Sequence, residues 1–313
     1  MGGSGGGSSW SGQDRGRQRT AAKSLQELKD KAQQELKERQ LRAECNDVLD
    51  QLLKEYNDRD TEAVAEKMTQ IEEALSDSGY EMDRLLFGGS VAKHTYVDGL
   101  SDIDSLVYLG DNQGKSPAQV LNQFASLLRT TLPPTQVESV TTGRMAVTVN
   151  YHDGTSVQLL PATEHGERTV LPSPDGKGWR AVRPHKFTEK LTEVNQKNSH
   201  QVVPAIKLAK GLINALPETE RLSGYHVEAL AVDAFKSYGQ ARDRVTVLKH
   251  LITHASQAVL KPTSDITGQT VHIDEHLGPA SSKDRQRIST SLRHIADKLT
   301  NAATAQQYQA VFE

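Results

Sequence analysis

Between Arg84 and Leu109 the chain reads RLLFGGSVAKHTYVDGLSDIDSLVYL, and this stretch constrains the fold more than any other. Arg84-Leu85-Leu86-Phe87 has the form of a short apolar strand, and it ends on Gly88-Gly89-Ser90, a turn signal. Twelve residues after Ser90 comes Asp102, with Asp104 two further on, in a second strand over about 101–109 marked by Ile103, Leu106 and Val107. Alternate residues of a strand share a face, so Asp102 and Asp104 present two carboxylates side by side. Like charges at that range repel and weaken a strand unless a cation sits between them. A polar turn followed by a strand with two chance carboxylates accounts for each piece alone. The full order of strand, Gly-Ser, spacer, Asp-x-Asp and apolar strand is much less common.

Those parts suit one kind of chemistry. Mg²⁺ binds carboxylate oxygens together with substrate phosphates. Gly89 allows close approach of a phosphate, and Ser90 offers a hydroxyl beside backbone N–H groups. A metal-bound triphosphate held in line with an attacking hydroxyl is the arrangement of nucleotidyl transfer.

The rest of the chain frames this centre. Residues 1 to about 20 are Gly/Ser-rich and then basic, and are expected to be a disordered tail. Leu25, Leu28, Ala32, Leu36, Leu41, Val48, Leu49, Leu52 and Leu53 recur near helical spacing, with Ser24 and Glu27 in the capping-box pattern. This predicts a long helix from Ser24 to about Tyr56. A second helix is expected from Asp60 to about Leu75, stopped by Asp77-Ser78-Gly79. Helix follows over about 116–132, then strands over 136–141, 144–151 and 155–161, the last two joined by a hairpin at Asp153-Gly154. A Gly/Pro-rich connection is expected from Pro161 to Pro184. Beyond it the pattern is helical to the end, with a loop near 261–281. The expected fold class is α/β plus α, with a disordered tail (1–20), N-terminal helices and catalytic core (21–184) and a helical C-terminal lobe (185–313).

Bulk properties exclude several alternatives. With 37 basic and 40 acidic residues the formal charge is -3, so no global field attracts nucleic acid or an anionic membrane. Any phosphate binding must be local, and no stable nucleic-acid or membrane partner is expected. The single cysteine, Cys45, forms no internal disulfide and rules out a zinc cluster built on cysteine pairs. No apolar run approaches the roughly 20 residues that span a bilayer. A cytoplasmic protein is the expectation.

The segment from Phe87 to Leu109 resembles the signature of the polymerase-β nucleotidyltransferase superfamily. More narrowly, it resembles the bacterial enzymes related to cyclic GMP-AMP synthase, which make cyclic oligonucleotide signals in anti-phage defence. The resemblance covers roughly residues 60 to 240. It implies a nucleotidyltransferase lobe with a small mixed sheet followed by a helical lobe. It implies ATP and other NTPs as substrates, Mg²⁺ or Mn²⁺ as cofactor, a downstream effector that binds the cyclic product, and a regulatory partner. A family lysine that binds the donor triphosphate is matched by Lys207 in VVPAIKLAK. A family Ser-Tyr pair at a later helix start, which binds phosphate and stacks on a base, is matched by Ser223-Gly224-Tyr225, with glycine inserted or replacing serine. The family's third Asp, in an Asp-apolar-apolar-Pro pattern, is replaced by Gln158. Three readings follow. Gln158 completes the metal shell as a neutral ligand, which is the favoured one; Glu164 or Asp153 substitutes; or activity is low or absent.

Other signals carry less. Gly110-Asp111-Asn112-Gln113-Gly114-Lys115-Ser116 has three residues between its glycines where a P-loop needs four, and Pro117 suits an ordinary helix start. His250 with His254, and His272 with His276, have zinc-compatible spacing but no supporting ligands. The basic run from Lys177 to Lys186 either lines the phosphate cleft or is a solvated loop.

Overall fold

The computed structural model describes residues 11–313 apart from 59, 77–81, 99, 101, 111–113, 166–167, 174 and 268–269, and leaves undescribed the side chains of 11–25, 83, 165 and 184. Residues 1–10 and the expected helix stop at Asp77-Ser78-Gly79 therefore lie outside the described residues.

The chain begins with helix α1 (Ser11–Glu55) and α2 (Thr61–Ser76). It continues through β1 (Met82–Phe87), the one-turn helix α3 (Gly89–Ala92), β2 (Ile103–Leu109) and α4 (Pro117–Thr131). Five strands follow: β3 (Val137–Thr142), β4 (Val147–Tyr151), β5 (Ser156–His165), β6 (Arg168–Pro172) and β7 (Trp179–Val182). The remainder is helical: α5 (Pro184–Lys197), α6 (Val202–Asn214), α7 (Gly224–Ala234), α8 (Arg244–Ala258), α9 (Lys283–Asn301) and α10 (Ala305–Gln309).

The strands form a single mixed sheet in the order β1-β2-β5-β4-β3, extended by β6 on β5 and β7 on β6. Among the described strands only β2 and β5 run parallel, and their register sets Asp104 beside Gln158. β2 alternates as expected: Ile103, Ser105 and Val107 are buried while Asp104 and Leu106 are half-buried. The buried face packs on α2 and α4 through Ile71, Val120, Phe124 and Leu128, together with Val147, Val149, Val157 and Leu159 of the neighbouring strands. The opposite face is left to a cleft. Ser116 and Gln119 form a capping box at the start of α4, with Pro117 in the first turn, as an ordinary helix start requires. The β4–β5 hairpin turns at Gly154, whose φ is 85°.

Three expectations change. Among the described residues helix α1 runs from Ser11, so Ser24 lies inside it rather than at a helix start, and residues 11–20 are helical rather than a tail. The Gln and Arg residues there are good helix formers that outweigh two glycines. The connection after Pro161 is not irregular: β5 runs on to His165, and β6 and β7 form a hairpin. Short strands flanked by Pro and Gly carry little local signal, and partner strands supply it. Third, Cys45, Leu49 and Leu53 near the end of α1 are buried in the helical cluster with α6, α7 and α8. By packing, the end of α1 belongs to the C-terminal lobe rather than to the sheet lobe.

Candidate active site

The turn after β1 is built onto the second carboxylate. The Gly88 N–H donates to the Asp104 carbonyl at 2.7 Å, and the Ser90 N–H points to Asp104 Oδ2 at 3.4 Å. Gly89 has φ 46°, and a Cβ built there would lie 1.6 Å from Asp104 Oδ2. Glycine is required twice over, by conformation and by space. The Ser90 side chain is buried, and its hydroxyl has no hydrogen-bond partner. A buried polar group without a partner is costly, and a substrate oxygen would satisfy it. Of the turn groups expected to meet a phosphate, the Ser90 N–H faces Asp104 instead, while the hydroxyl stays available.

Asp102 and Asp104 line one cavity of about 840 Å³ with Gly89, Ser90 and Gln158. Burial pushes the Asp104 carboxyl above its usual range, with the neighbouring Asp102 and Glu228 adding to the rise against the Ser90 N–H and Lys93. A cation between the carboxylates would reverse that penalty. Two carboxylates with room for phosphate oxygens fit Mg²⁺, which takes one or two protein carboxylates and fills its shell from substrate and water.

Gln158 reaches the pair, as its register requires. Its amide Nε2 donates to Asp102 Oδ2 at 2.5 Å, so it holds a carboxylate of the pair in place. The two substitutes considered for the third acid are elsewhere. Asp153 sits on the hairpin, paired with Lys67 at 2.6 Å, and Glu164 pairs with Arg84.

From the helical lobe the cavity receives Lys210, Ser223, Gly224, Tyr225 and Glu228. Ser223 caps α7 by accepting from the His226 N–H. The half-buried Tyr225 ring packs on Phe187 with centroids 4.8 Å apart, and its hydroxyl donates to Asp265 at 2.9 Å. Burial, with Asp265 second, pushes its phenol well above the usual range.

Lys207 does not enter this cavity. It donates to Asn57 Oδ1 and lines a separate cavity of about 1020 Å³ with Asp50, His94 and Arg244. Lys210 takes the place expected of it. Three residues of helix leave the two side chains about 60° apart around the axis and about 4.5 Å apart along it, and across that difference Lys207 meets Asn57 while Lys210 meets Thr95 and Glu228. The signal was present: Lys210 is flanked by Leu208, Ala209, Gly211 and Leu212, an apolar context that marks a buried lysine. Lys93 and Glu228 were also missed. Glu228 stands alone in the apolar stretch Val227 to Val232, which is the same kind of signal. Of the basic run, His185 lines the cleft, whereas Lys177, Arg180 and Lys186 are exposed. His250 Nε2 donates to the Ala234 carbonyl, and the ring packs on Phe235 and Tyr238; His254 pairs with Asp233. Lys115 turns toward Gln123 of α4.

Residues 44–195 match the family described as the Second Messenger Oligonucleotide or Dinucleotide Synthetase domain. The chain carries a synthetase domain of that family. It is a nucleotidyltransferase domain, and the family makes cyclic di- and oligonucleotides. Solved structures share the fold of the whole. Escherichia coli MS115-1 CdnC with ATP aligns at TM-score 0.60 and 18% identity, over 79% of this chain and 87% of that one. Bradyrhizobium diazoefficiens CdnG in complex with GTP aligns at 0.59 and 16%, over 79% and 88%. Vibrio cholerae DncV, a cyclic AMP-GMP synthase, aligns at 0.61 and 14%, over 95% and 90%. Comparison with curated protein sequences gives no match. In the synthetase domain the carboxylate pair and Gly-Ser turn lie inside the matched residues, while Lys210, Ser223 and Tyr225 lie beyond them in the helical lobe.

Proposed function

We propose that the synthetase domain binds the donor triphosphate between the Ser90 hydroxyl on one side and Lys210 and Ser223 on the other. Tyr225 flanks its base, and Asp102 and Asp104 take up Mg²⁺ or Mn²⁺. The observation that carries this reading is convergence. An unpartnered buried hydroxyl, two carboxylates and a buried lysine from the other lobe border one cavity. A divalent ion there would neutralise charge on the transferring phosphoryl group and favour ionisation of the attacking hydroxyl. The protein's own part is orientation. Gln158 fixes the Asp102 carboxylate, Gly89 lets Asp104 lie against the turn, and Lys210 supplies a point charge for phosphate.

ATP is the expected donor, with a second NTP as acceptor, and a cyclic di- or oligonucleotide read by a downstream effector is the expected product. CdnC is known in complex with a HORMA protein, which supports a regulatory protein partner for this chain too. Among the described residues no helix is long and apolar enough to cross a membrane, and a cytoplasmic setting fits NTP substrates. The test is product analysis by mass spectrometry after incubation with all four NTPs, alongside pyrophosphate release. The parent should give a phosphatase-resistant cyclic product, and Asp102→Asn with Asp104→Asn should give none while keeping the circular dichroism of the parent. Parent-level pyrophosphate release by the double variant would refute the site.

A further inference from the structure

One buried group in the cleft has no role in the reading above. Glu228 is 1% exposed, within the otherwise apolar stretch Val227 to Val232 of α7. Its two oxygens face both lobes. Oε2 accepts from Lys93, which follows the one-turn helix α3. Oε1 accepts from the Thr95 hydroxyl at 2.5 Å and from Lys210 at 3.0 Å. Thr95 is tied to the catalytic turn, because its N–H donates to the Ser90 carbonyl at 2.9 Å. Lys210 in turn donates to the Thr95 carbonyl at 2.9 Å. Ser90, Thr95, Glu228 and Lys210 are thus one connected chain of hydrogen bonds from the sheet lobe to α7 and α6.

The charges in this chain are unequal. Two ammonium groups share one carboxylate, which leaves one positive charge in excess at the wall of a cavity that also holds Asp104. Lys93 lies 5.1 Å from the centre of the Phe187 ring and 5.2 Å from that of Tyr225, so aromatic faces cover it. Lys210 faces the cavity. Burial drives the Lys210 amine toward its neutral form, and the charge of Glu228 opposes this. Burial likewise disfavours the Glu228 carboxylate, but Lys93 and Lys210 outweigh it and hold the group below its usual range. The titratable groups facing the pair are Lys93, Asp104 and Tyr225.

We propose that Glu228 is a positioning residue: it fastens the Ser90 turn to the helical lobe and holds the Lys210 ammonium charged and aimed at the donor phosphates. The inference rests on the nucleotide reading above, and it assigns to Glu228 an effect on nucleotide that runs through Lys210. A group that acted only by holding the fold together would weaken every ligand alike. A group that acts through Lys210 weakens only ligands with phosphates, and only while Lys210 is present.

The test is a double-mutant cycle on the full chain, with calorimetric binding of a non-hydrolysable ATP analogue in Mg²⁺ and of adenosine. Glu228→Gln keeps the size of the side chain and removes its charge. It should weaken the analogue about tenfold, the scale of one charge-assisted hydrogen bond, and shift adenosine by less than twofold. In a Lys210→Met background it should add less than twofold, since the group it acts through is gone. Multiplying losses, or equal losses for adenosine, would overturn the proposal. If Glu228→Gln does not fold, Thr95→Val carries the test: it removes one bond to Glu228 and keeps the charge, with about a threefold loss expected for the analogue and none for adenosine. Parent protein that fails to bind the analogue would remove the phosphate site and both readings with it. Parent that binds while Glu228→Gln binds equally well sinks the Glu228 assignment alone.

Discussion

Among the described residues two carboxylates are buried deeply, and they are paired in opposite ways. Glu228, in the cleft, meets two lysines and a threonine hydroxyl. Asp274, in the helical lobe, meets Arg285 at 2.7 Å and the Thr263 N–H at 3.0 Å, and both Asp274 and Arg285 are 0% exposed. All three guanidinium nitrogens are engaged: the group also donates to the carbonyls of Val259, Lys261, Gly278 and Asp274. Arginine is a rigid planar fork, whereas lysine is a point charge on a flexible stem. The Arg285 cluster balances its charges and pins the 261–281 segment on α9. The Lys210 cluster leaves a charge over and borders a cavity. A buried ion pair is therefore structural where its charges cancel inside the packed core, and available for function where an excess charge borders a cavity.

The sharpest way to break this contrast is to remove the guanidinium. Arg285→Met would leave the Asp274 carboxylate buried without its main partner and strand several carbonyls. Losing one member of such a pair costs about 3–5 kcal/mol, and urea unfolding should register a loss of that size. The same experiment on Glu228→Gln should show less than half of it, because the amide oxygen still accepts from Thr95 or a lysine. A cost near zero for Arg285→Met would mean that the two clusters do not differ in kind. The damage should also reach the cleft, since the pinned segment carries Asp265, the partner of the Tyr225 hydroxyl.

A pH titration of stability sharpens it further. His226 is 1% exposed, with Nε2 3.4 Å from Asp274 Oδ2. Burial holds its imidazole down at about 4, Asp274 opposing and Arg285 and His276 assisting. An unfolded histidine titrates near 6.5. The folded value is the lower one, so the unfolded chain takes up the proton first. The contribution is complete above about pH 6.5, declines as pH falls, and is gone once pH passes below about 4. Its full size is about 3 kcal/mol. His226→Gln should flatten that part of the pH–stability curve; parallel curves for parent and variant over pH 6.5 to 4 would refute the assignment.

The contrast also shows what was legible in the sequence. Gly89, Ser90, Asp102 and Asp104 could be read because they lie close together in the chain and the strand period alone places both carboxylates on one face. Gln158 could be placed because Pro161 and the alternation with Leu160 set its register. Lys207 and Lys210 could not be separated by motif, since both occur in VVPAIKLAK; only the packing of α6 against α1 on one side and α7 on the other decides between them. The Asp274–Arg285 pair gave no signal, because the loop between α8 and α9 must fold before the two meet. Strands β6 and β7 were missed because they are short and owe their form to neighbours, and the start of α1 because its glycines read as a linker.

The smallest expected effect comes from the glycine between Ser223 and Tyr225. Gly224 lies in the first turn of α7, and a Cβ built there would come 3.2 Å from Lys210 Cε and 3.3 Å from Nζ. That is tighter than ordinary van der Waals contact, and what it presses on is the end of a flexible side chain. The ammonium can give by a few tenths of an ångström, so the fold should not suffer. Alanine also favours the helix over glycine by up to about 1 kcal/mol, less in a first turn, so Gly224→Ala should melt at the parent temperature or slightly above it. Binding should move the other way. A lysine displaced from its bonds to Thr95 and Glu228 meets the donor phosphates less well, and the ATP analogue should bind about threefold more weakly, a change of roughly 0.7 kcal/mol, with adenosine unchanged. Melting and calorimetry on the same preparation check both signs. Stability and affinity rising together, or affinity unchanged, would mean that Lys210 has slack in its place. The cleft cluster would then be no more tightly set than an ordinary surface pair.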